Sequence, residues 1–210
     1  MLETLKNYQY IFLDFDGVIK ESVSVKTESF VELFKFSDEK TLQKIREHHL
    51  NNGGMSRFEK IPIYLQWAKK DYSSYDIRKF CDKFGEIAKD KVINSDWVPG
   101  VYEFLEKNKE NFVFILVSAT PQDEIEDICD SLSISSYFSA IFGSPKSKTS
   151  IIKNFIIHSK ININKCVLIG DATADFDAAN NTGIDFIYRN HEFNKDILIQ
   201  SNVKTIVNFL

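Results

Sequence analysis

The stretch "YIFLDFDGVIK", residues 10–20, decides how the chain is read. It opens with a continuous apolar run, the pattern of a strand buried on both faces, yet it ends in two carboxylates, Asp14 and Asp16, just before Gly17. Side chains at i and i+2 share a face, so the two acids leave the strand side by side. Like charges that close repel, and one of them holds a proton unless positive charge lies between them. The competing reading is a solvated turn, because Asp and Gly are ordinary turn residues.

Composition sets the frame for that choice. The chain has 210 residues, 43% of them apolar and 18 of them Phe, enough to bury a sizeable interior. Its net charge of −4 and dispersed lysines give no basic stripe, so no nucleic-acid partner is expected. Cys81, Cys129 and Cys166 have no CxxC spacing and suit a reducing cytosol. No N-terminal apolar segment reaches the length of a membrane span. The expectation is a cytoplasmic protein with no membrane partner, a monomer or weak homodimer.

Strand-like runs recur at residues 112–117, 138–142, 166–169 and 186–188, alternating with helical patterns. That alternation predicts an α/β fold with a Rossmann-like parallel sheet. Between the first two strands lies a long segment with helical spacing, including "TLQKIREHHL", "RFEKIPIYLQWAKK" and "YDIRKFCDKFGEIAKDKV". A crossover needs only about a dozen residues, so the excess reads as an inserted helical domain. The division is 1–19 and 95–210 for the core, and 20–94 for the insertion. "PGVYEFLEKN" restarts the core, with Val101, Phe104 and Leu105 on one helical face.

The other strand ends resolve the opening question. Residues 112–117 run into Ser118-Ala119-Thr120, residues 138–142 into "GSPKSKT", and residues 166–169 into Gly170-Asp171, with Asp175 shortly after. In an open parallel sheet, ligands bind outside the carboxyl ends of the strands, so these exits can share one crevice. Together they supply carboxylates for a cation, a hydroxyl and a lysine, the parts of a phosphoryl-transfer site.

With these residues in place, the chain resembles the haloacid dehalogenase superfamily. "DFDGV" is similar to its DxDGx(T/V) signature, Ser118 to its strand-ending Ser/Thr, Lys148 to its helix-opening lysine, and "GDATAD" to its GDxxxD motif, all in family order. The insertion stands where the family carries its helical C1 cap. The resemblance is to C1-capped proteins of the phosphoglycolate phosphatase and β-phosphoglucomutase type. It implies that Asp14 attacks phosphorus and that Asp16 serves as acid and then base. It further implies Mg²⁺ held by Asp14, the Asp16 carbonyl and Asp171, with Asp175 in or just behind that shell. Ser118 and the amides of Ala119 and Thr120 would bind phosphate oxygens beside Gly17, and Lys148 would neutralise charge. "NNGGMSRFEK" resembles the substrate-specificity loop of such caps, making Gly54 and Arg57 candidates for gripping the substrate, with Lys26 and Glu21 weaker ones.

The implied activity is a magnesium-dependent phosphatase of a small phosphorylated metabolite, with a sugar or polyol phosphate as first guess. A phosphosugar mutase is the alternative, although Gly170 stands where those mutases usually carry Glu. A phospho-accepting receiver domain would share the acidic residues, Ser/Thr and Lys, but not the long insertion. Ser118 and Thr120 could instead cap the helix that follows Pro121. Lys146 rivals Lys148, Asp177 is expected at the surface, and His48, His49, His158 and His191 are expected to face solvent.

Overall fold

Strand β1 (Tyr10–Leu13) lies at the centre of a six-stranded sheet, flanked on one side by β2 (Val113–Pro121) and on the other by β4 (Cys166–Gly170). This computed structural model describes residues 1–194 and 203–210. The remaining strands are β3 (Phe138–Ser144), β5 (Asp185–Arg189) and β6 (Lys204–Ile206). They stand in the order β3-β2-β1-β4-β5-β6, with every adjoining pair parallel. Leu13 registers with Leu116 on β2 and Ile169 on β4, which puts the polar exits of all three strands at one edge. The chain builds outward from β1 to β3 and then returns to β4, so the sheet has its topological switch point between β1 and β4.

The helices follow from apolar spacing and end signals. Helix α1 is Leu2–Leu5, α6 Val101–Asn108, α7 Gln122–Ser131, α8 Lys148–Ser159 and α9 Thr173–Thr182. Val101, Phe104 and Leu105 are the buried face of α6, as their spacing predicts. Two apolar clusters sandwich the sheet: one contains Ile11, Leu13, Phe104 and Leu116, the other Phe12, Ile115, Ile152 and Leu168. Alternate residues of β1 thus point to opposite faces, and both are covered.

Between β1 and α6 run four helices, α2 (Val23–Leu33), α3 (Glu39–Asn51), α4 (Arg57–Trp67) and α5 (Ser74–Ile93). They bury their own cluster around Phe30, Phe34, Ile61, Tyr64 and Phe84. Phe30 stacks on Phe84 with ring centroids 3.9 Å apart. Capping boxes at Ser56 and Ser73 start α4 and α5 by satisfying N-terminal amides that would otherwise be orphaned. The chain leaves and re-enters the core side by side: Lys20 pairs with Trp97 in an antiparallel bridge, and Val98 N–H donates to the Ile19 carbonyl at 3.1 Å. No helix among the described residues is long and apolar enough to cross a membrane. The three cysteines are buried free thiols.

Candidate active site

The Asp14 N–H donates to the Ile169 carbonyl at 3.0 Å, extending the β1–β4 ladder one residue and fixing the backbone where the acidic pair begins. The Asp14 side chain is buried, and Lys148 Nζ lies 2.8 Å from its Oδ1 and 2.5 Å from Asp175 Oδ1. Lys148 opens α8 behind the Ser147 cap, whereas Lys146 stays exposed, so the fold itself distinguishes the two lysines. Burial pushes the Asp14 carboxyl up to about 7 against the pull of Lys148, with Asp175 and Asp16 adding to the rise. Burial likewise raises Asp171 and Asp175. Burial alone would lower Lys148, but Asp14 and Asp175 outweigh it and hold the ammonium protonated.

Asp16 is held differently. Burial works against its charge, yet the Lys26 ammonium at 2.5 Å and the Ser22 hydroxyl at 2.6 Å keep its carboxyl below the ordinary value. The opening paradox of two adjacent acids is therefore answered by two lysines from different elements, Lys148 for Asp14 and Lys26 for Asp16.

Asp171 is clamped by the turn that follows β5. His191 Nδ1 accepts the Phe193 N–H at 3.2 Å, so Nε2 carries the proton and donates to Asp171 Oδ2 at 2.8 Å. Asn194 Nδ2 donates to the Asp171 carbonyl at 2.7 Å, and its Oδ1 accepts from the His191 N–H at 2.7 Å. Carboxylate oxygens of Asp14, Asp171 and Asp175 all lie within 4.8 Å of one another. Three buried carboxylates against one close ammonium are short of positive charge, and an all-oxygen donor set fits a hard divalent cation such as Mg²⁺.

Ser118 does not cap α7: its Oγ accepts the Thr120 N–H at 3.1 Å, and the Thr120 hydroxyl accepts from Lys26 at 2.8 Å. Ala119 and Thr120 line the same cavity as Asp14 and Asp16, while Ser118 and Lys148 line an adjoining recess with Gly54. Gly17 takes a positive φ of 74°, and a Cβ there would come 2.4 Å from Asp171 Oδ2, so its place in the site is one of close packing. Gly54, at φ 79°, lies against Ala174 at the start of α9, letting the insertion approach the core.

Arg57 departs from the expected mobile gripping loop. It is buried as the first residue of α4, and its guanidinium forks onto Glu124 of α7 at 2.8 and 2.5 Å while covering the Phe84 ring. Glu21 is also engaged elsewhere, paired with Arg189. Asp177 is exposed, as expected. The histidine expectation fails except at His158, because His49 is buried and His48 Nδ1 lies 3.1 Å from the Tyr64 hydroxyl. Lys60 and His49, which line the cavity, and the His191–Asn194 turn are functional candidates that sequence reading passes over. Two signals mark them: Lys60 shares a helix face with Arg57 at i+3, and His191 follows a fifth strand exit.

The sequence matches the haloacid dehalogenase-like hydrolase family over residues 10–188, and the chain belongs to that family. The fold is that of known members. A predicted phosphoglycolate phosphatase from Haemophilus somnus superposes with a TM-score of 0.76 at 19% identity, covering 97% of this chain and 95% of that one. CbbY from Rhodobacter sphaeroides, in a mutant form complexed with xylulose-(1,5)bisphosphate, gives 0.76 at 16% identity, covering 96% and 95%. β-Phosphoglucomutase from Clostridium difficile gives 0.71 at 20% identity, covering 96% and 92%. A search of curated protein sequences gives no significant match.

Proposed function

We propose that this chain is a Mg²⁺-dependent phosphatase of a small phosphorylated metabolite, working through an aspartyl phosphate at Asp14. The observation that carries the reading is the pairing of Asp14 with Lys148 at 2.8 Å beside Asp16, all at the carboxyl edge of the sheet. Asp14 would attack phosphorus as the ester P–O bond breaks, and Asp16 would give its proton to the departing oxygen. Asp16 would then take a proton from the water that attacks the aspartyl phosphate, releasing inorganic phosphate and restoring Asp14. At rest Asp16 is held ionised by Lys26, the state needed for the second half; a phosphate dianion arriving beside it would favour the protonated form needed for the first.

Asp14, the Asp16 carbonyl, Asp171 and Asp175 are the groups proposed to hold Mg²⁺, which when bound would offset carboxylate and phosphate charge. Ser118 with the amides of Ala119 and Thr120 would hold phosphate oxygens, and Lys148 would balance the charge on Asp14. The four-helix insertion, residues 20–94, would act as the cap that excludes water, with Gly54 giving close approach to the core. Sugar and polyol phosphates are the first class to screen. Asp14→Asn tests the scheme: phosphate release from p-nitrophenyl phosphate with Mg²⁺ should vanish while the circular dichroism spectrum is kept. Near-normal release by that variant would sink the covalent route. Quantitative transfer to a second hydroxyl of the substrate, with no net phosphate release, would mean a mutase instead.

A further inference from the structure

Three cations line the cavity between the insertion and the core, and their partners differ. Lys26 is paired with Asp16 at 2.5 Å, and Arg57 with Glu124 at 2.5 Å. Lys60, on α4, is 2% exposed and has no carboxylate within ion-pair distance among the described residues. Its Nζ donates to His49 Nδ1 at 2.9 Å, and His49 is itself kept neutral by burial and by the Lys60 charge beside it. Phe30, Leu50, Met55 and Phe84 line the same cavity, and Lys60 Nζ lies 5.9 Å from the Phe30 ring centroid.

A buried ammonium with only a neutral partner is costly, because desolvation is not repaid by a counter-charge. Burial pushes Lys60 down to about 7, with Lys26 adding to the fall and Asp16 resisting it. An amine kept at such cost on a cavity wall has a use if the missing counter-charge arrives with the ligand. Lys60 lines the same cavity as Asp14 and Asp16, so a ligand with its phosphoryl group at Asp14 can present a second group to Lys60.

We infer that Lys60, supported by His49, binds a second anionic group of the substrate, at the end opposite the phosphoryl group. The substrate class is then a phosphate ester bearing a carboxylate or a second phosphate. Arg57, held by Glu124, builds the wall instead of gripping the ligand. This inference rests on the phosphatase reading for the position of the phosphoryl end, and its test is designed to fail separately from that reading.

The test is equilibrium binding by calorimetry in the Asp14→Asn background with Mg²⁺, which needs no turnover. The probes are 2-phosphoglycolate, ethane-1,2-diol bisphosphate and the neutral-ended 2-hydroxyethyl phosphate. The parent should favour at least one dianionic-ended or carboxylate-ended probe over the neutral-ended one by about tenfold or more, the range of a charge-assisted contact. Which of the two is favoured distinguishes carboxylate from phosphate. Lys60→Met and Lys60→Gln should each collapse that preference. Lys60→Met should also raise the unfolding temperature, because it removes a buried charge while keeping the side chain's length, a result a merely structural lysine would not give. Equal affinity of the parent for all three probes, or a preference that survives both substitutions, overturns the proposal. Loss of p-nitrophenyl phosphate hydrolysis by the wild type would overturn the phosphatase reading instead, leaving the binding comparison to decide the role of Lys60.

Discussion

Arg57 opens helix α4 of the insertion, and both of its terminal nitrogens reach the carboxylate of Glu124 on α7 of the core, at 2.8 and 2.5 Å. Both side chains are largely shielded from water, so this is a desolvated pair linking the two parts of the chain. Breaking one partner of such a pair leaves the other charge buried, at a cost of about 3–5 kcal/mol, whereas replacing both by apolar groups is often neutral. Glu124→Ala should therefore lower the urea midpoint strongly, and the double variant Arg57→Met/Glu124→Leu should recover most of the loss. A Glu124→Ala shift below about 1 kcal/mol, the worth of an exposed pair, would mean the fork is open in solution.

Gly17 is a second point where geometry leaves no latitude. An added methyl would meet Asp171 Oδ2 at 2.4 Å and His191 Nε2 at 3.1 Å, on a backbone at φ 74°. The left-handed conformation alone costs a residue with a Cβ about 1–2 kcal/mol, and the displaced carboxylate adds to it. Gly17→Ala should lower the melting temperature and remove phosphatase activity together. A variant with unchanged melting temperature and turnover would show that the turn can rearrange, and would dissolve the packing role assigned to Gly17.

Cation binding should be visible without catalysis. If Asp14, Asp171 and Asp175 form the Mg²⁺ site, added Mg²⁺ stabilises the native state by about 2.7 kcal/mol at a hundredfold excess over its dissociation constant. Thermal unfolding should rise with Mg²⁺, return to baseline with EDTA, and respond much less in Asp171→Ala. Activity should follow the same reversal. An unfolding curve indifferent to Mg²⁺, with full turnover in EDTA, would remove the metal from the scheme.

What the sequence disclosed follows from the range over which each signal acts. Strands β1 and β4 are continuous apolar runs that end just before Asp14 and Asp171, and in β2 the apolar run gives way to Ser118 within the strand, which continues to Pro121; each run thus announces its own polar end, and the switch-point rule brings those ends together. Strand β6 spans only Lys204–Ile206 and has no periodicity to read, so it emerges only from pairing with β5. The partners of charged side chains are harder still. Nothing near Arg57 in the chain points to Glu124, and nothing near His191 points to Asp171, because those contacts are made by tertiary packing. For this reason the sequence places Arg57 in a mobile loop, whereas it lines the cavity from a buried pair with Glu124, and it puts His48, His49 and His191 in solvent, where only His158 stands.

Lys60 supplies the last prediction, a pH dependence of stability. Its folded-state value is lowered to about 7, well below the ordinary lysine value near 10.4. The groups acting on it are His49 from α3, Lys26 from α2, Asp16 beyond β1, Glu59 on α4 and Asp171 beyond β4. Lowering the value of a base means that the unfolded chain binds the proton more readily than the native one between the two values. Stability from this residue therefore rises as pH rises through that window, and the full penalty is present below the folded value. His49 titrates below the window, and the buried thiols Cys81, Cys129 and Cys166, raised by burial, are present in both proteins, so their contribution cancels in the comparison. Between about pH 7 and pH 8.5 the wild type should gain roughly 1.5 kcal/mol relative to Lys60→Met, from a slope approaching 1.36 kcal/mol per pH unit per proton. Paired urea titrations of the two proteins across that interval measure the difference directly. A gap between them that stays constant with pH would mean that Lys60 keeps its proton in the fold, with a counter-charge already in place, and the case for an incoming anion would lose its footing.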